Sequence, residues 1–307
     1  MAEVLTVSAP ATSANLGPGF DTLALALDLT NEVRISRRPG PLEVRVVGEG
    51  ADEVAPDDGN LVCRALASGL ADLDGLLVEC RNRIPLGRGL GSSAAAVCAG
   101  LVAANALGGL RWSPDDLLER AADLEGHADN AAACLVGGIV AVGPGPRAVR
   151  IAPPDGLSFV TVIPAGRVAT DAARLALPPA VPLGEAAATL SRAVGLALAL
   201  REARVEDLPP LLVDTLHEPA RAALVPGLEA MRALAAAGEC LGATISGSGP
   251  SVLLWCRAET ASRAASLAEE ALAREDVAAE VRVARAAPGG VTARWGEPRT
   301  RLAGAVG

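Results

Sequence analysis

Ile84-Pro85-Leu86-Gly87-Arg88-Gly89-Leu90-Gly91-Ser92-Ser93-Ala94-Ala95 is the stretch from which the rest of the chain can be read. A Val- and Leu-rich run at 76–81 precedes it and reads as a strand; the uncharged run at 92–107 that follows reads as a long buried helix. Between them, three glycines leave the backbone bare, so an anion can approach its N–H groups. A helix starting at Ser92 turns its unsatisfied N–H groups and the positive end of its dipole toward that anion. Ser92 and Ser93 add hydroxyls, either for hydrogen bonds or as a metal ligand. The pattern is a phosphate cradle without a Walker lysine, with Pro85, Gly87, Arg88, Gly89, Leu90, Gly91, Ser92, Ser93 and Ala94 as its lining. On these residues alone, a plain structural turn is the alternative.

Outward from the loop, strands are expected at 3–8, 32–36, 42–47 and 137–142, and a helix at 60–73. Ser113-Pro114-Asp115-Asp116 is a helix start, with a Ser cap, Pro at the first position and acids in the first turn; that helix should run through Leu124. A Gly/Pro-rich stretch at 143–154, straddling a strand at 148–151, marks a boundary. Beyond it, strands are expected at 157–163, 243–246, 252–256, 277–284 and 291–295, and helices at 183–203, 208–216, 228–237 and 260–274, with a frayed tail at 296–307. Strands and helices neither alternate strictly nor segregate. The expectation is an α+β protein of two layered domains, 1–153 and 154–307, meeting at a cleft.

Composition removes several classes of function. The net charge of −9 argues against a nucleic-acid partner. All 27 basic residues are Arg, so P-loop, protein-kinase and pyridoxal chemistries, which need a Lys amine, are excluded. Two histidines, His127 and His217, exclude a multi-histidine metal site. Six cysteines without a Cys-x-x-Cys pair sit among apolar neighbours and read as buried reduced thiols of a cytoplasmic protein. The start of the chain shows no basic region followed by an apolar run, so no signal peptide is expected. Residues 92–110 carry no charge over 19 positions, but their Ser, Asn105 and Ala/Gly content fits a buried helix better than a membrane span.

Two further blocks matter. Pro10-Ala11-Thr12-Ser13-Ala14-Asn15-Leu16-Gly17-Pro18-Gly19-Phe20-Asp21 lies near the start, and Gly242-Ala243-Thr244-Ile245-Ser246-Gly247-Ser248-Gly249-Pro250-Ser251 near the end. Taken in order with the glycine loop, they resemble the three motifs of the GHMP kinases. The first block is particularly similar to the homoserine kinases of that family. So is Glu125-Gly126-His127-Ala128-Asp129-Asn130, where those enzymes usually carry Pro at the position of Ala128. The resemblance spans 10–255.

The resemblance implies a two-domain GHMP kinase fold, with an N-terminal domain like ribosomal S5 domain 2 and a ferredoxin-like C-terminal domain. It also implies Mg²⁺ and ATP, L-homoserine as acceptor in threonine biosynthesis, and a homodimer. Residue by residue, it implies Ser93 and Glu119 as metal ligands; Glu119 otherwise reads as a solvated helix acid. Asp129 and Asn130 become catalytic residues facing the acceptor, with Asp129 as base or as anchor. His127 is either a further acceptor contact or structural. Thr170 and Arg174, and Arg221 of His217-Glu218-Pro219-Ala220-Arg221, match acceptor-binding positions. An Arg fork suits an α-carboxylate. Asp21 is the ammonium partner, with Asn15 beside it, and Ser246 and Gly247 bring the third motif to the site. Asn60 meets the adenine edge, caps the helix that follows it, or does both. Two other readings stand beside this one: a GHMP kinase for another small alcohol, such as threonine or a mevalonate-type acid, and a non-catalytic nucleotide-binding protein.

Overall fold

The computed structural model describes residues 3–296. In chain order the strands are β1 (Val4–Ala14), β2 (Leu23–Arg37), β3 (Glu43–Gly48), β4 (Leu76–Asn82), β5 (Ile139–Val142), β6 (Ala148–Ile151), β7 (Leu157–Pro164), β8 (Gly242–Ile245), β9 (Val252–Arg257), β10 (Ala279–Ala284) and β11 (Thr292–Gly296). The α-helices are α1 (Leu61–Ala67), α2 (Ser92–Gly108), α3 (Pro114–Glu125), α4 (Asp129–Val136), α5 (Thr170–Leu175), α6 (Leu183–Arg201), α7 (Leu208–Leu211), α8 (Glu218–Arg221), α9 (Leu228–Ala236) and α10 (Ala261–Arg274).

They form two sheets. The first runs β11-β1-β2-β4-β3, with β5 also pairing β2 and β6 pairing β5; the second runs β10-β7-β9-β8. The second sheet is wholly antiparallel, and its order is that of a βαββαβ ferredoxin-like unit. The α+β expectation holds.

α2 is apolar all round and buried from Ala94 to Ala104 on most positions, so it forms the centre of the first unit. Ser113 caps α3 through a capping box with Asp116, as its sequence foretells. β7 is buried along its whole length because it has two faces to fill. Phe159 on β7, with Leu253 and Trp255 on β9, joins the core of the first unit, while Val160, Val162, Leu254 and Cys256 pack under α9 and α10. One core therefore crosses the cleft and fixes the two halves against each other.

Several expectations change. β1 runs on through Pro10 to Ala14, with the irregularity that a proline needs between Pro10 and Ala11. α4 escaped the sequence reading because eight apolar-rich residues show no period. The 208–216 helix stops at Leu211. The strand near the end, β11, pairs antiparallel with β1 from Val4↔Gly296 to Ser8↔Thr292, so a division at 153/154 does not separate the two sheets: the chain crosses back after β10. β1 otherwise exposes an unpaired edge, and β11 covers it. The tail at 297–307 lies outside the described residues. The long uncharged stretch is the buried α2. The described helix whose length and composition suffice for a membrane span is instead α6, with Leu183, Leu190, Val194 and Leu198 exposed. All six cysteines are free and buried, and burial pushes the thiols of Cys63 and Cys240 up to about 11 and those of Cys80 and Cys256 up to about 12.

Candidate active site

An open cleft of about 130 Å³ lies where the glycine loop, the start of α2, the end of α3, α5, α8 and the turn after β8 converge. Its loop wall is made of backbone. Gly87, Gly89 and Gly91 have φ of 64°, 72° and 67°, the left-handed region. At two of them a side chain has nowhere to go. A Cβ on Gly89 would sit 2.2 Å from the Ser246 carbonyl oxygen, and one on Gly91 would sit 1.9 Å from Thr12 Oγ1. The loop is clamped from both sides: Thr12 N–H donates to Leu90 O (3.0 Å) and Ser246 Oγ to Gly89 O (2.7 Å). Arg88 reaches Ala165 O at 2.8 Å, and Val168 N–H reaches Gly87 O at 3.2 Å. Gly91 caps α2 without a side chain, so no side chain occupies the first-turn N–H groups.

Beside this wall, Ser93 Oγ donates to Glu125 Oε1 at 2.6 Å. Glu119, the expected partner of Ser93, is exposed on α3 and does not line the cleft. Six residues are roughly 240° around a helix, so the two acids face different ways. Glu125 ends α3, just before Gly126 turns left-handed at φ 78°. The sequence carried a signal for it, because Glu125 opens the block that contains His127 and Asp129. A hydroxyl and a carboxylate are hard oxygen donors that suit Mg²⁺, which binds through few protein oxygens. Among the described residues no cluster of three or more His, Cys, Asp or Glu forms a richer cation cage.

Asp129, 3% exposed, starts α4. Its Oδ1 accepts from Asn130 N–H (2.7 Å) and meets His127 Nδ1 at 3.1 Å. That hydrogen bond, with the Asp129 charge, raises the His127 pKa against the opposing effect of burial. Asn130 Oδ1 accepts from Thr12 Oγ1 at 2.6 Å, which ties α4 to the first motif.

The far end is built from charged side chains. Arg174 on α5 grips Asp21 with both forks, Nη1–Oδ2 at 2.9 Å and Nη2–Oδ1 at 3.0 Å. The pair raises the Arg174 pKa. Arg221 is buried beside them. Its Nε donates to Ala173 O (3.1 Å), and its Nη1 lies 3.3 Å from both Gly247 O and His217 Nδ1. Burial and the nearby Arg174 cation lower its pKa. The Phe20 ring stacks on His217 at 5.1 Å, with both guanidinium groups over it, Arg174 at 5.8 Å and Arg221 at 5.3 Å.

Three residues hold this end in register. Asn15, at φ 73°, donates to Gly247 O (2.8 Å) and accepts the Asp21 N–H (3.0 Å). Burial keeps His217 neutral; its Nε2–H donates to Gly17 O at 2.9 Å, which leaves Nδ1 to accept from Arg221. Glu218, 2% exposed, accepts from Ile245 N–H (2.7 Å) and Arg232 Nη2 (2.9 Å), fixing the strand that leads into Ser246. Burial pushes its pKa up to about 7.

Of the expected site residues, Asn15, Asp21, Pro85, Gly87 through Ala94, His127, Asp129, Asn130, Thr170, Arg174, Arg221 and Gly247 line the cleft. Ser246 does not line it and instead clamps the loop from behind. Asn60 also stays outside: its amide caps α1 at Val62 N–H (3.0 Å) and donates to Ala55 O (2.9 Å). Sequence reasoning missed Glu125 and Phe20, as well as Val168 and Ser248 on the cleft wall.

The chain matches the family descriptions "GHMP kinases N terminal domain" over residues 60–138 and "GHMP kinases C terminal" over 196–274. It is 41% identical over 298 residues to a homoserine kinase of Streptomyces avermitilis, covering 94% of this chain and 97% of that one. It is 42% identical over 281 residues to that of Streptomyces coelicolor, covering 87% and 89%. A crystal structure of homoserine kinase from Cytophaga hutchinsonii superposes with a TM-score of 0.86 at 30% identity, covering 95% of this chain and 97% of that one.

Proposed function

The chain belongs to the homoserine kinases of the GHMP kinase family, and from its cleft we propose that it transfers the γ-phosphoryl group of ATP to the side-chain hydroxyl of L-homoserine, giving ADP and O-phospho-L-homoserine, a step of threonine biosynthesis. The observation that carries this reading is the meeting, in one cleft, of a backbone cradle for phosphates with side chains of both signs for a zwitterion.

The glycine loop and the first turn of α2 would hold the β- and γ-phosphates by their N–H groups. Ser93 and Glu125 would hold Mg²⁺, which when bound neutralises charge on the phosphate oxygens. Arg174 and Arg221 would take the α-carboxylate, and Asp21 the α-ammonium. Asp129 would orient the acceptor hydroxyl through Oδ2, since its Oδ1 already serves Asn130 and His127. A loose phosphoryl-transfer transition state requires little base strength, so orientation suffices as the role of Asp129. Six buried thiols fit a reducing cytoplasm.

The test is ADP release with Mg²⁺-ATP and L-homoserine, L-threonine, L-serine, mevalonate or galactose as acceptor. Fast turnover with L-homoserine and little with the others is expected. Preference for mevalonate would keep the family but refute the zwitterion pocket.

A further inference from the structure

We propose that Asp21 and Arg174 form an exchangeable ion pair that makes the acceptor end selective for zwitterions; the proposal rests on the reading of this cleft as an amino-alcohol site. In the free protein the two charges satisfy each other. Both Asp21 oxygens and both Arg174 forks are engaged, at 2.9 Å and 3.0 Å. Each side chain is nevertheless 40% exposed and lines the cleft, so the pair is screened by water and weakly held.

The surroundings restrain the backbones and add the Phe20 ring, 5.8 Å from the Arg174 guanidinium, to the pair. Asp21 sits at φ 51° with its N–H on Asn15 Oδ1. α5 is anchored beside Arg174 by the Arg221 Nε bond to Ala173 O. Arg221 itself is 2% exposed, and its hydrogen-bond acceptors are two backbone carbonyls and the imidazole. Among the described residues no carboxylate lies within ion-pair distance of it.

A carboxylate therefore takes the two-pronged face of Arg174 by displacing Asp21, and an ammonium competes with Arg174 for the same two Asp21 oxygens. A carboxylate without an ammonium that takes Arg174 leaves Asp21 unmatched. An ammonium without a carboxylate that takes Asp21 leaves Arg174 unmatched. A zwitterion replaces each half by its equivalent, with Arg221 as the second fork for the carboxylate. Selectivity thus comes from the charge that a wrong ligand would strand, as well as from the contacts that the right one makes.

The experiment measures kcat/KM with Mg²⁺-ATP for L-homoserine, for 4-hydroxybutyrate (no ammonium) and for 3-amino-1-propanol (no carboxylate), in the unaltered protein, in Asp21→Asn and in Arg174→Gln. Asp21→Asn releases Arg174. It should lower kcat/KM for L-homoserine roughly tenfold to a hundredfold, the scale of one charged hydrogen bond, and raise it several-fold for 4-hydroxybutyrate. Arg174→Gln should likewise lower it for L-homoserine and raise it for 3-amino-1-propanol. If either variant loses activity toward its matching singly charged acceptor as much as toward L-homoserine, or changes neither, the exchange is wrong. Absence of L-homoserine turnover by the unaltered protein would instead overturn the kinase reading on which the proposal rests. Thermal melts of the free variants report folding separately.

Discussion

The two ends of the cleft are built from different materials. At the nucleotide end the wall is backbone: three left-handed glycines, an uncapped helix start and a single carboxylate, drawn mostly from one continuous stretch. At the acceptor end the wall is side chain: Asp21, Arg174, Arg221 and Asp129 come from four separate segments on both sides of the cleft. On the proposed function the first end would recognise phosphate, which every nucleotide carries, and for that N–H groups and empty space suffice. The second would have to distinguish one small alcohol from another, and it presents charges at fixed separations, held by long-range hydrogen bonds such as Asn15 to Gly247 and Glu218 to Ile245.

Substitutions can break or sharpen this contrast. The largest effect is expected at the carboxylate proposed to hold Mg²⁺. Glu125→Ala should lower kcat by about a hundredfold or more, the scale of losing a principal electrostatic stabiliser, while Glu119→Ala should stay within about threefold. Steady-state kinetics at saturating Mg²⁺ decide between the two acids. Gly89→Ala should follow, with kcat/KM for ATP down about a hundredfold, because the new Cβ forces the loop off the Ser246 carbonyl; a displacement of an ångström is enough for that. A near-normal ATP affinity in this variant would show that the wall tolerates side chains after all. Next comes Arg221→Lys, which loses the fork geometry. KM for L-homoserine should rise roughly tenfold or more with KM for ATP unchanged, and the reverse pattern would move Arg221 to the nucleotide end.

The smallest effect concerns pH and the support of the acceptor end. The folded pKa of Glu218, about 7, lies above its ordinary value of 4.5. A raised folded value means stability that is present below the ordinary value and is lost as pH rises through 7. The Tm of the unaltered protein should therefore fall relative to Glu218→Gln between pH 5 and pH 8, by an amount on the order of a few degrees. Parallel Tm profiles would mean that Arg232 and the Ile245 N–H hold the carboxylate ionised.

The same contrast explains what the sequence could and could not reveal. The glycine loop and α2 were legible because they are local: bare backbone, then an uncharged helix. Ser113 and its capping box were legible for the same reason. Glu125 was overlooked because the metal role went to Glu119 on its spacing from Asp129, and the contact of Glu125 with Ser93 emerges only when α2 and α3 pack together. The Asp21–Arg174 pair joins residues 153 apart, and no local pattern encodes that distance. Asn60 had two compatible readings, and its bonds to neighbouring backbone establish the cap. α4 was hidden because eight residues, mostly small and apolar, are too short a run to display a helical period.

The pairing of β1 with β11 also governs how the protein is made. β1 leaves the ribosome long before β11, since Val4 pairs with Gly296, 292 positions later in the chain. At roughly 5–20 residues per second, β1 waits about 15–60 s for its outer neighbour. During that interval the nascent first sheet carries an open edge able to pair with another nascent chain on the same message. Crowded synthesis should therefore be the hazard for this fold, and a chaperone that shields β1 until β11 emerges should raise its yield more than one that acts after release.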